Sequence, residues 1–341
     1  MGDLGVSSDT LSRRGFMRRA ALGAAVAGAG LATAVRTVDQ AHAASPTSFL
    51  PSDNALHLLR RATWGPTHAS HKQIERLGTA GWLNKQLAPH TIDDSACATL
   101  VANRFPRLTW SLKAAYQHSD QGWQLMQDLG IAAIVRAAWS ERQLFEVMVD
   151  FWSNHLNVTN FHDSVWWSRH DYDRAVIRAH ALGKFSDMLR ASAKHPAMLT
   201  YLNNAESTKD NPNENYGREL LELHSVGLDA GYTEEEMQTS ALILTGLGVH
   251  WYDDVDDGTF DYDAGNHYTG PVKVLGWSSK NASASNGLTV ALDYVDYLAH
   301  HPSTARRIST KLCQRFVSDT PPAALVDEMA TAYRHNDTAI T

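Results

Sequence analysis

Between residues 53 and 335, the sequence consists mainly of short segments in which apolar residues recur every three or four positions. This spacing places apolar side chains on one helix face and predicts amphipathic helices that bury those faces against one another. Glycine, proline or polar residues separate the segments, as is typical of helix ends. The predicted helices span residues 53–63, 70–77, 79–87, 94–103, 121–157, 165–180, 185–194, 196–203, 213–227, 233–247, 288–300, 304–317 and 322–335. We therefore predict an all-α, multi-helix, bundle-like domain.

Two short patterns predict where individual helices begin. Ser140 and Gln143 have the Ser/Thr-x-x-Glu/Gln form of a capping box, which predicts a new helix within the long segment 121–157. Thr233 and Glu236 have the same form at the start of a later segment.

One stretch departs from the helical pattern. Residues 250–276 are rich in aspartate, glycine and aromatic residues and contain short alternations of polar and apolar positions. This composition predicts a small β-hairpin insertion. The chain has no fixed-period repeat and no long internal linker, so we predict a single domain over residues 44–341.

The N-terminus has the form of an export signal. Arg13 and Arg14 form a twin-arginine pair followed by a weakly apolar run over residues 20–35 and by the small-x-small sequence Ala41-His42-Ala43. We predict a twin-arginine signal peptide over residues 1–43 and a periplasmic or secreted protein. The apolar run is too short and too poor in leucine for a membrane span, so we expect no stable span after signal removal.

Composition excludes some classes of function and leaves others open. The net charge of −7 argues against a nucleic-acid partner. Cys97 and Cys313 lie in no zinc, redox or haem motif, and we expect two buried thiols, with one disulfide as the alternative. The ten tryptophans indicate aromatic anchors in a core or, alternatively, surfaces on which carbohydrate stacks. The sequence also lacks a G-x-S-x-G motif and a glycine-rich phosphate loop.

The segment 213–227, NENYGRELLELHSVG, carries an unusual number of charged groups. Glu214, Arg218 and Glu222 follow one another at i to i+4 spacing, which predicts an ion-pair ladder on an exposed face. The alternative is that this helix contributes Arg218, Glu219 and Glu222 to a chemical site. On a straight helix, His224 lies nearly opposite Glu222, so this segment alone cannot bind a metal through both residues.

Any metal site must therefore recruit histidines from other helices, and two are candidates. His155 lies near the end of the predicted helix 141–157, on the same apolar face as Leu144 and Met148. It is either a core histidine bonded to a carbonyl or a ligand or acid-base group in a pocket. His180 ends the segment 165–180 and is the second candidate.

Six stretches of the sequence occur together in a known family. They read HLLRRATWGPT (57–67), ERQLFEVMVDFWSNHLNV (141–158), DRAVIRAHALGKFSDML (173–189), AKHPAMLTYLNNAES (193–207), NENYGRELLELHSVGLDAGYT (213–233) and HPSTARRISTKLCQRFV (301–317). In these stretches the chain resembles the bacterial domain-of-unknown-function family 1800, a group of large, mostly helical exported proteins.

The resemblance implies no established activity, but it carries three expectations. Family members are often encoded beside exported proteins similar to sulfatases and phosphatases, which implies a co-exported partner of that kind. They usually continue beyond the point that corresponds to Thr341, which implies a further C-terminal portion. The usual His-Asp pair of the insertion reads His267-Tyr268 here, which weakens a role in acid chemistry at that position.

Two hypotheses about function arise from these features. The first is an exported hydrolase, metal-assisted or dependent on carboxylates and histidines, in which Glu219, Glu222, Arg218 and His180 are catalytic. His155 and His224 would bind a divalent metal or move protons. A glutamate would act as general base, and Arg218 would hold an anionic group or orient the carboxylates. The second hypothesis is a non-catalytic envelope scaffold or an accessory protein for an exported enzyme.

Overall fold

The helices begin and end where side chains cap them or where glycine and proline interrupt them. A computed structural model describes residues 53–159, 162–251 and 257–341. In these residues fourteen α-helices occur: α1 Asn54–Ala62, α2 His68–Leu87, α3 Ser95–Arg104, α4 Leu112–Gln117, α5 Gly122–Trp139, α6 Gln143–His155, α7 Arg169–Tyr172, α8 Phe185–Ala193, α9 Pro196–Tyr201, α10 Glu214–Glu219, α11 Glu234–Leu244, α12 Gly287–His300, α13 Pro302–Phe316 and α14 Ala323–His335. The all-α fold class is confirmed. The twin-arginine pair, the cleavage site and part of the predicted insertion lie outside the described residues.

Capping explains several of the helix starts. The predicted capping box at the start of α11 is present, because the Thr233 side chain accepts from the Glu236 backbone N–H and Glu236 reaches back to Thr233. The new helix predicted near Ser140 is confirmed, since α6 begins at Gln143, but the capping box itself is wrong. The Ser140 backbone N–H is still bonded to the Arg136 carbonyl of α5, and the Gln143 amide donates to the Ser140 carbonyl instead.

Two helices change pitch before they end. α7 continues as a π-helix over Asp173–Arg178, and α10 continues as a π-helix over Leu220–His224. A π-turn takes one residue more than an α-turn and is rare, and it occurs frequently at functional sites. The straight helix assumed for residues 213–227 is therefore wrong over its second half.

The core lies between α6, the α7 segment, α8, α10 and α12. Its largest fully buried side chains include Trp152, Tyr172, Phe185, Tyr216 and Tyr294. The Trp152 indole N–H donates to the Ala181 carbonyl at 2.9 Å, which satisfies a buried donor. Residues 53–341 form one compact unit by their contacts, and no described helix has the length and apolar character to cross a bilayer.

The insertion contains two hairpins where one was predicted. β1 Leu247–Val249 pairs antiparallel with β2 Phe260–Tyr262, with Gly248 opposite Asp261, and β3 Val272–Val274 pairs antiparallel with β4 Trp277–Ser279, with Lys273 opposite Ser278. Leu275 and Gly276 both have positive φ (50° and 89°), the conformation of the two-residue turn that favours a tight hairpin.

His267, which takes the place of the histidine of the family pair, is buried beside these hairpins. Its Nδ1 lies 2.8 Å from the Thr245 carbonyl oxygen and its Nε2 lies 3.0 Å from the Asn281 Oδ1. The two contacts hold the insertion against the end of α11, which is a structural role. Cys97 and Cys313 are both buried free thiols.

The end of α12 carries a histidine that makes stability depend on pH. His300 Nε2 lies 2.7 Å from Asp337 Oδ1, and its Nδ1 lies 2.8 Å from the Asp296 carbonyl oxygen. Burial lowers the pKa of His300, but the hydrogen bonds to Asp337 and to the Asp296 carbonyl together raise that pKa above its ordinary value. A raised folded-state pKa stabilises the fold below about pH 6.5, and this contribution is lost as pH rises through the folded pKa.

We expect His300→Gln to narrow the gap in melting temperature between pH 6 and pH 8.5 relative to the wild type. The contribution is about 1 kcal/mol or less, because both partners are partly exposed. Thermal unfolding followed by circular dichroism at the two pH values measures it. The exposed His335, for which no hydrogen bond or ion pair is found among the described residues, provides the control variant His335→Gln. An equal pH dependence in wild type and His300→Gln would contradict the assignment.

Candidate functional site

The segment 213–227 has one face toward solvent and one face packed against the rest of the protein. Asn213 caps α10 by accepting from the Asn215 backbone N–H at 3.0 Å. Gly217 lets α10 approach α11 closely, because a Cβ on Gly217 would lie 2.6 Å from the Ala241 backbone nitrogen. His224 is buried at the end of the π-helix. The tight contact with α11 therefore fixes which side chains of this segment face inward.

The outer face carries the predicted ion-pair ladder. Arg218 Nη2 lies 3.4 Å from Glu214 Oε2 and Nη1 lies 3.5 Å from Glu222 Oε1. Its closest partner was not predicted, and lies at the start of α11, where Glu234 Oε1 is 2.7 Å from Nη2. The bond to Glu234 is the main cause that raises the pKa of Arg218. Three carboxylates thus surround the Arg218 guanidinium. Because its hydrogen-bond donors already have these partners, Arg218 is better placed to orient Glu222 than to bind a ligand.

The inner face meets helix α6 at two histidines. His155 Nε2 lies 3.1 Å from the His224 carbonyl oxygen, and Lys311 Nζ of α13 lies 2.9 Å from His155 Nδ1. The lysine donates to Nδ1, so the proton of a neutral His155 is on Nε2 and is donated to the carbonyl. Burial, and then the charge of Lys311, lower the pKa of His155 well below its ordinary value, so the ring is neutral at neutral pH.

Helix α13 contributes a second cation one turn before Lys311. Arg307 Nη2 donates to the Leu223 carbonyl at 3.3 Å. Gly227 makes room for this guanidinium, because a Cβ there would lie 2.6 Å from Arg307 Nη1. No carboxylate in the described part of the chain forms an ion pair with Arg307 or Lys311. We call His155, His224, Arg307 and Lys311 the cationic cluster.

Burial and the repulsion between neighbouring cations lower the pKa values in the cationic cluster. Burial, and then Arg307, lower the pKa of Lys311 to about 8. Burial, and then Lys311 and Arg307, lower the pKa of His224 to about 3. His224 Nδ1 and Arg307 Nε are both buried, and neither has a hydrogen-bond partner among the described residues. Two half-buried cations and an unbonded imidazole nitrogen form a site that an anion would complete.

Tyr232 interacts electrostatically with residues of both the cationic cluster and the outer ladder. Burial, and then Glu222, raise the pKa of Tyr232, whereas Arg218 and Arg307 lower it. The phenol is therefore close enough to both groups for each to act on it. Asp229 acts on the pKa of Arg307 without an ion pair in the described residues.

The predicted site residues divide between several environments. His155 and His224 come together in the cationic cluster, and Arg218 and Glu222 come together in the ladder. Glu219 is half-buried on α10, and its carboxylate oxygen Oε2 is fully buried. His180 lies after the α7 π-helix, where burial lowers its pKa and Asp187 opposes that effect. None of the hydrogen bonds of the cationic cluster among the described residues involves His180.

A metal role for His155 and His224 stays a prediction. Both ring nitrogens of His155 are hydrogen bonded, one to Lys311 and one to a carbonyl. Over residues 53–159, 162–251 and 257–341, no three His, Cys, Asp or Glu side chains are grouped so as to hold a metal ion.

The sequence prediction missed Arg307, Lys311 and Tyr232. One signal was present, because helix α13 contains four basic residues and no acidic residue in fifteen positions. Like charges at i and i+4 repel, so Arg307 and Lys311 on one side of a helix mark a concentration of positive charge.

Comparison with known proteins identifies a family but no characterised relative. A family model described as "Protein of unknown function (DUF1800)" matches residues 57–341. No curated protein and no solved structure matches the chain. The family match covers all of the helices except the first residues of α1, and includes the ladder and the cationic cluster. The chain therefore belongs to the DUF1800 family of proteins of unknown function.

Proposed function

We propose that this protein is an exported hydrolase of substrates that carry an anionic group, and that the cationic cluster binds that group. The observation that carries the proposal is the pair of half-buried cations, Arg307 and Lys311, without an ion-pair partner among the described residues. Half-buried cations without counter-charge destabilise a fold, so their presence is explained best by a function.

The proposed scheme for hydrolysis draws on the cationic cluster for anion binding and on the ladder for a general base. Arg307 and Lys311 bind the anionic group, and His155 positions Lys311 through the 2.9 Å hydrogen bond. Glu222, oriented by Arg218, removes a proton from water as the water oxygen bonds to the phosphorus or sulfur atom of the ester. The bond to the leaving oxygen breaks, and Lys311, whose pKa is about 8, protonates that oxygen.

An ester panel tests the proposal. Purified protein is assayed with 4-nitrophenyl phosphate, 4-nitrophenyl sulfate and the neutral 4-nitrophenyl acetate. We expect turnover of at least one anionic ester, inhibition by inorganic sulfate, and a loss of about 100-fold in kcat/KM in Arg307→Gln. The exposed Arg334 provides the control variant Arg334→Gln. Hydrolysis of the acetate alone, or anion binding without any hydrolysis, would contradict the proposal, and the second outcome would favour the accessory role.

The same assay tests the remaining predicted residues. Glu219→Gln and His180→Gln report whether these two side chains take part in turnover. Elemental analysis of the exported protein tests for a divalent metal, and a stoichiometric metal that His155→Ala removes would support the metal-assisted form of the hydrolase.

We also propose export by the twin-arginine route, based on the Arg13-Arg14 pair and the apolar run after it. Replacing both arginines with lysine is expected to keep the protein in the cytoplasm, because the receptor reads this pair as an address. Cell fractionation with antibody detection measures the distribution. Arg18→Lys with Arg19→Lys is the matched control, and equal export of all three proteins would contradict the assignment.

The family resemblance further supports the proposal of a co-exported sulfatase-like or phosphatase-like partner. Both partners would then act on anionic esters. Co-purification from the exported fraction, with a Lys311→Met variant as comparison, tests whether such a protein associates with this chain.

A further inference from the structure

A cavity remote from the cationic cluster lies between the ends of α1, α2, α5 and α6. Its volume is about 530 Å³, within the range of small-ligand sites. We call it the tryptophan groove, because Trp64, Trp82 and Trp139 line it. His155 lies at the opposite end of α6, about 18 Å along the helix from Gln143, which also lines the groove.

Two large aromatic side chains on this groove are exposed. Trp64 is 48% exposed and Trp139 is 64% exposed. The backbone holds Trp64 in place, because its N–H donates to Gln143 Oε1 at 3.0 Å, and Trp139 is the last residue of α5. Two partly exposed indoles in the lining of a cavity offer apolar surfaces to a ligand.

One residue that lines the groove carries a donor without an acceptor. Trp82 is 1% exposed, and its indole N–H has no hydrogen-bond partner among the residues that the structure describes. A buried unpaired donor disfavours the fold by about 1–3 kcal/mol, so a ligand oxygen at this position would be stabilised.

The remaining lining residues indicate the kind of ligand. Half of them carry neutral amide or hydroxyl side chains, such as Gln73, Ser70 and Thr67, most of the others are apolar, and Glu141 is the one charged residue of the lining. Such a lining has no cation to pair with a phosphate, and the Glu141 carboxylate repels an anion. It suits a molecule with flat apolar faces and many neutral hydroxyl groups, which describes a pyranose ring.

We infer that the tryptophan groove binds the sugar rings of a neutral oligosaccharide. The indoles of Trp64 and Trp139 pack against the C–H faces of the rings. Hydroxyl groups bond with the Trp82 N–H, the Gln73 amide and the Glu141 carboxylate. The site is independent of the proposed hydrolase activity, and either can fail without the other.

Isothermal titration calorimetry with cellohexaose, chitohexaose and maltohexaose tests the inference on the full exported chain. We expect at least one of them to bind with a Kd of about 1 mM or tighter. The double variant Trp64→Ala/Trp139→Ala should weaken that affinity at least about tenfold. Trp123→Ala is the matched control, since Trp123 is also 48% exposed on α5 but does not line the groove.

Circular dichroism shows whether the double variant folds, and Gln73→Ala gives a second, milder change that should also weaken binding. The inference is overturned if none of the three hexasaccharides binds, or if binding persists unchanged in the folded double variant. It is also overturned if sedimentation shows self-association that the double variant abolishes, because the tryptophans would then be a contact between two copies.

Discussion

Lys311→Met should abolish most of the sulfate affinity of this protein at pH 7 without lowering its melting temperature. The substitution removes one of the two cations that would bind the anion, and we expect a loss of at least about tenfold in affinity. The stability of the fold should not fall in the same way. The pKa of Lys311 is lowered to about 8, so the folded state disfavours the charged form, and removal of that charge offsets the loss of the hydrogen bond to His155 Nδ1. A lysine with a purely structural role would lower the melting temperature when replaced.

The pH dependence of sulfate binding follows from the same pKa. Sulfate keeps its charge across the range, so a change in affinity reports on the protein. Lys311 is charged below about pH 8, so affinity should be highest there and should fall as pH rises through 8. Lys311→Arg keeps a charge at every accessible pH, and its affinity should stay constant between pH 7 and pH 9. Calorimetric titration at three pH values measures this.

The exposed Lys72 provides the control variant Lys72→Met, which should change neither sulfate affinity nor melting temperature. Two results would exclude the role assigned to Lys311. One is wild-type affinity that does not change between pH 7 and pH 9. The other is a Lys311→Met protein that binds sulfate as the wild type does.

Glu146→Ala should destabilise the fold by about 3 kcal/mol, because it leaves a largely buried guanidinium, 20% exposed in the Arg178 side chain, without its partner. Arg178 of the α7 π-helix donates twice to Glu146, with distances of 2.9 and 2.6 Å between the nitrogen and oxygen atoms. Glu146 is 6% exposed. Arg136 is close enough to Arg178 that burial, and then Arg178, lower its pKa. Removing Glu146 therefore leaves two cations close together in a region with little water.

Guanidinium chloride unfolding of wild type and variant measures the difference in the free energy of unfolding. An exposed ion pair of the same type, Arg306 with Asp327, supplies the control Asp327→Ala, which should change that free energy by less than about 1 kcal/mol. The double variant Glu146→Met/Arg178→Met should recover part of the loss, since it removes the unpaired charge of Arg178 as well. A loss below that of the Asp327→Ala control would show that water reaches Arg178 and stabilises it there.

The elements that sequence periodicity predicts are those whose stability comes from local contacts. The capping box at Thr233 and the ladder from Glu214 to Glu222 both join residues three or four positions apart, and both are present. The box at Ser140 fails because its backbone N–H already belongs to the preceding helix. The pattern of residue types is the same in both places, and only the three-dimensional course of the chain separates them.

Local sequence patterns could not predict the cationic cluster. His155 and Lys311 are 156 positions apart, and their contact depends on how α6 and α13 pack. The sequence placed His155 on an apolar helix face and left two interpretations open. The structure contains features of both, since the ring is bonded to a carbonyl as a core histidine would be and also contacts a lysine with a lowered pKa.

The π-helix at Leu220–His224 has a consequence for comparing members of the family. Because a π-turn holds one residue more than an α-turn, losing a single residue here would restore regular pitch and rotate the residues after the turn by about 100°. The residue in the place of His224 would then no longer meet α6, while the ladder before the π-turn would stay unchanged. A one-residue gap in an alignment of this segment is therefore a marker for a changed site, and it separates relatives that share the fold from those that can share the chemistry.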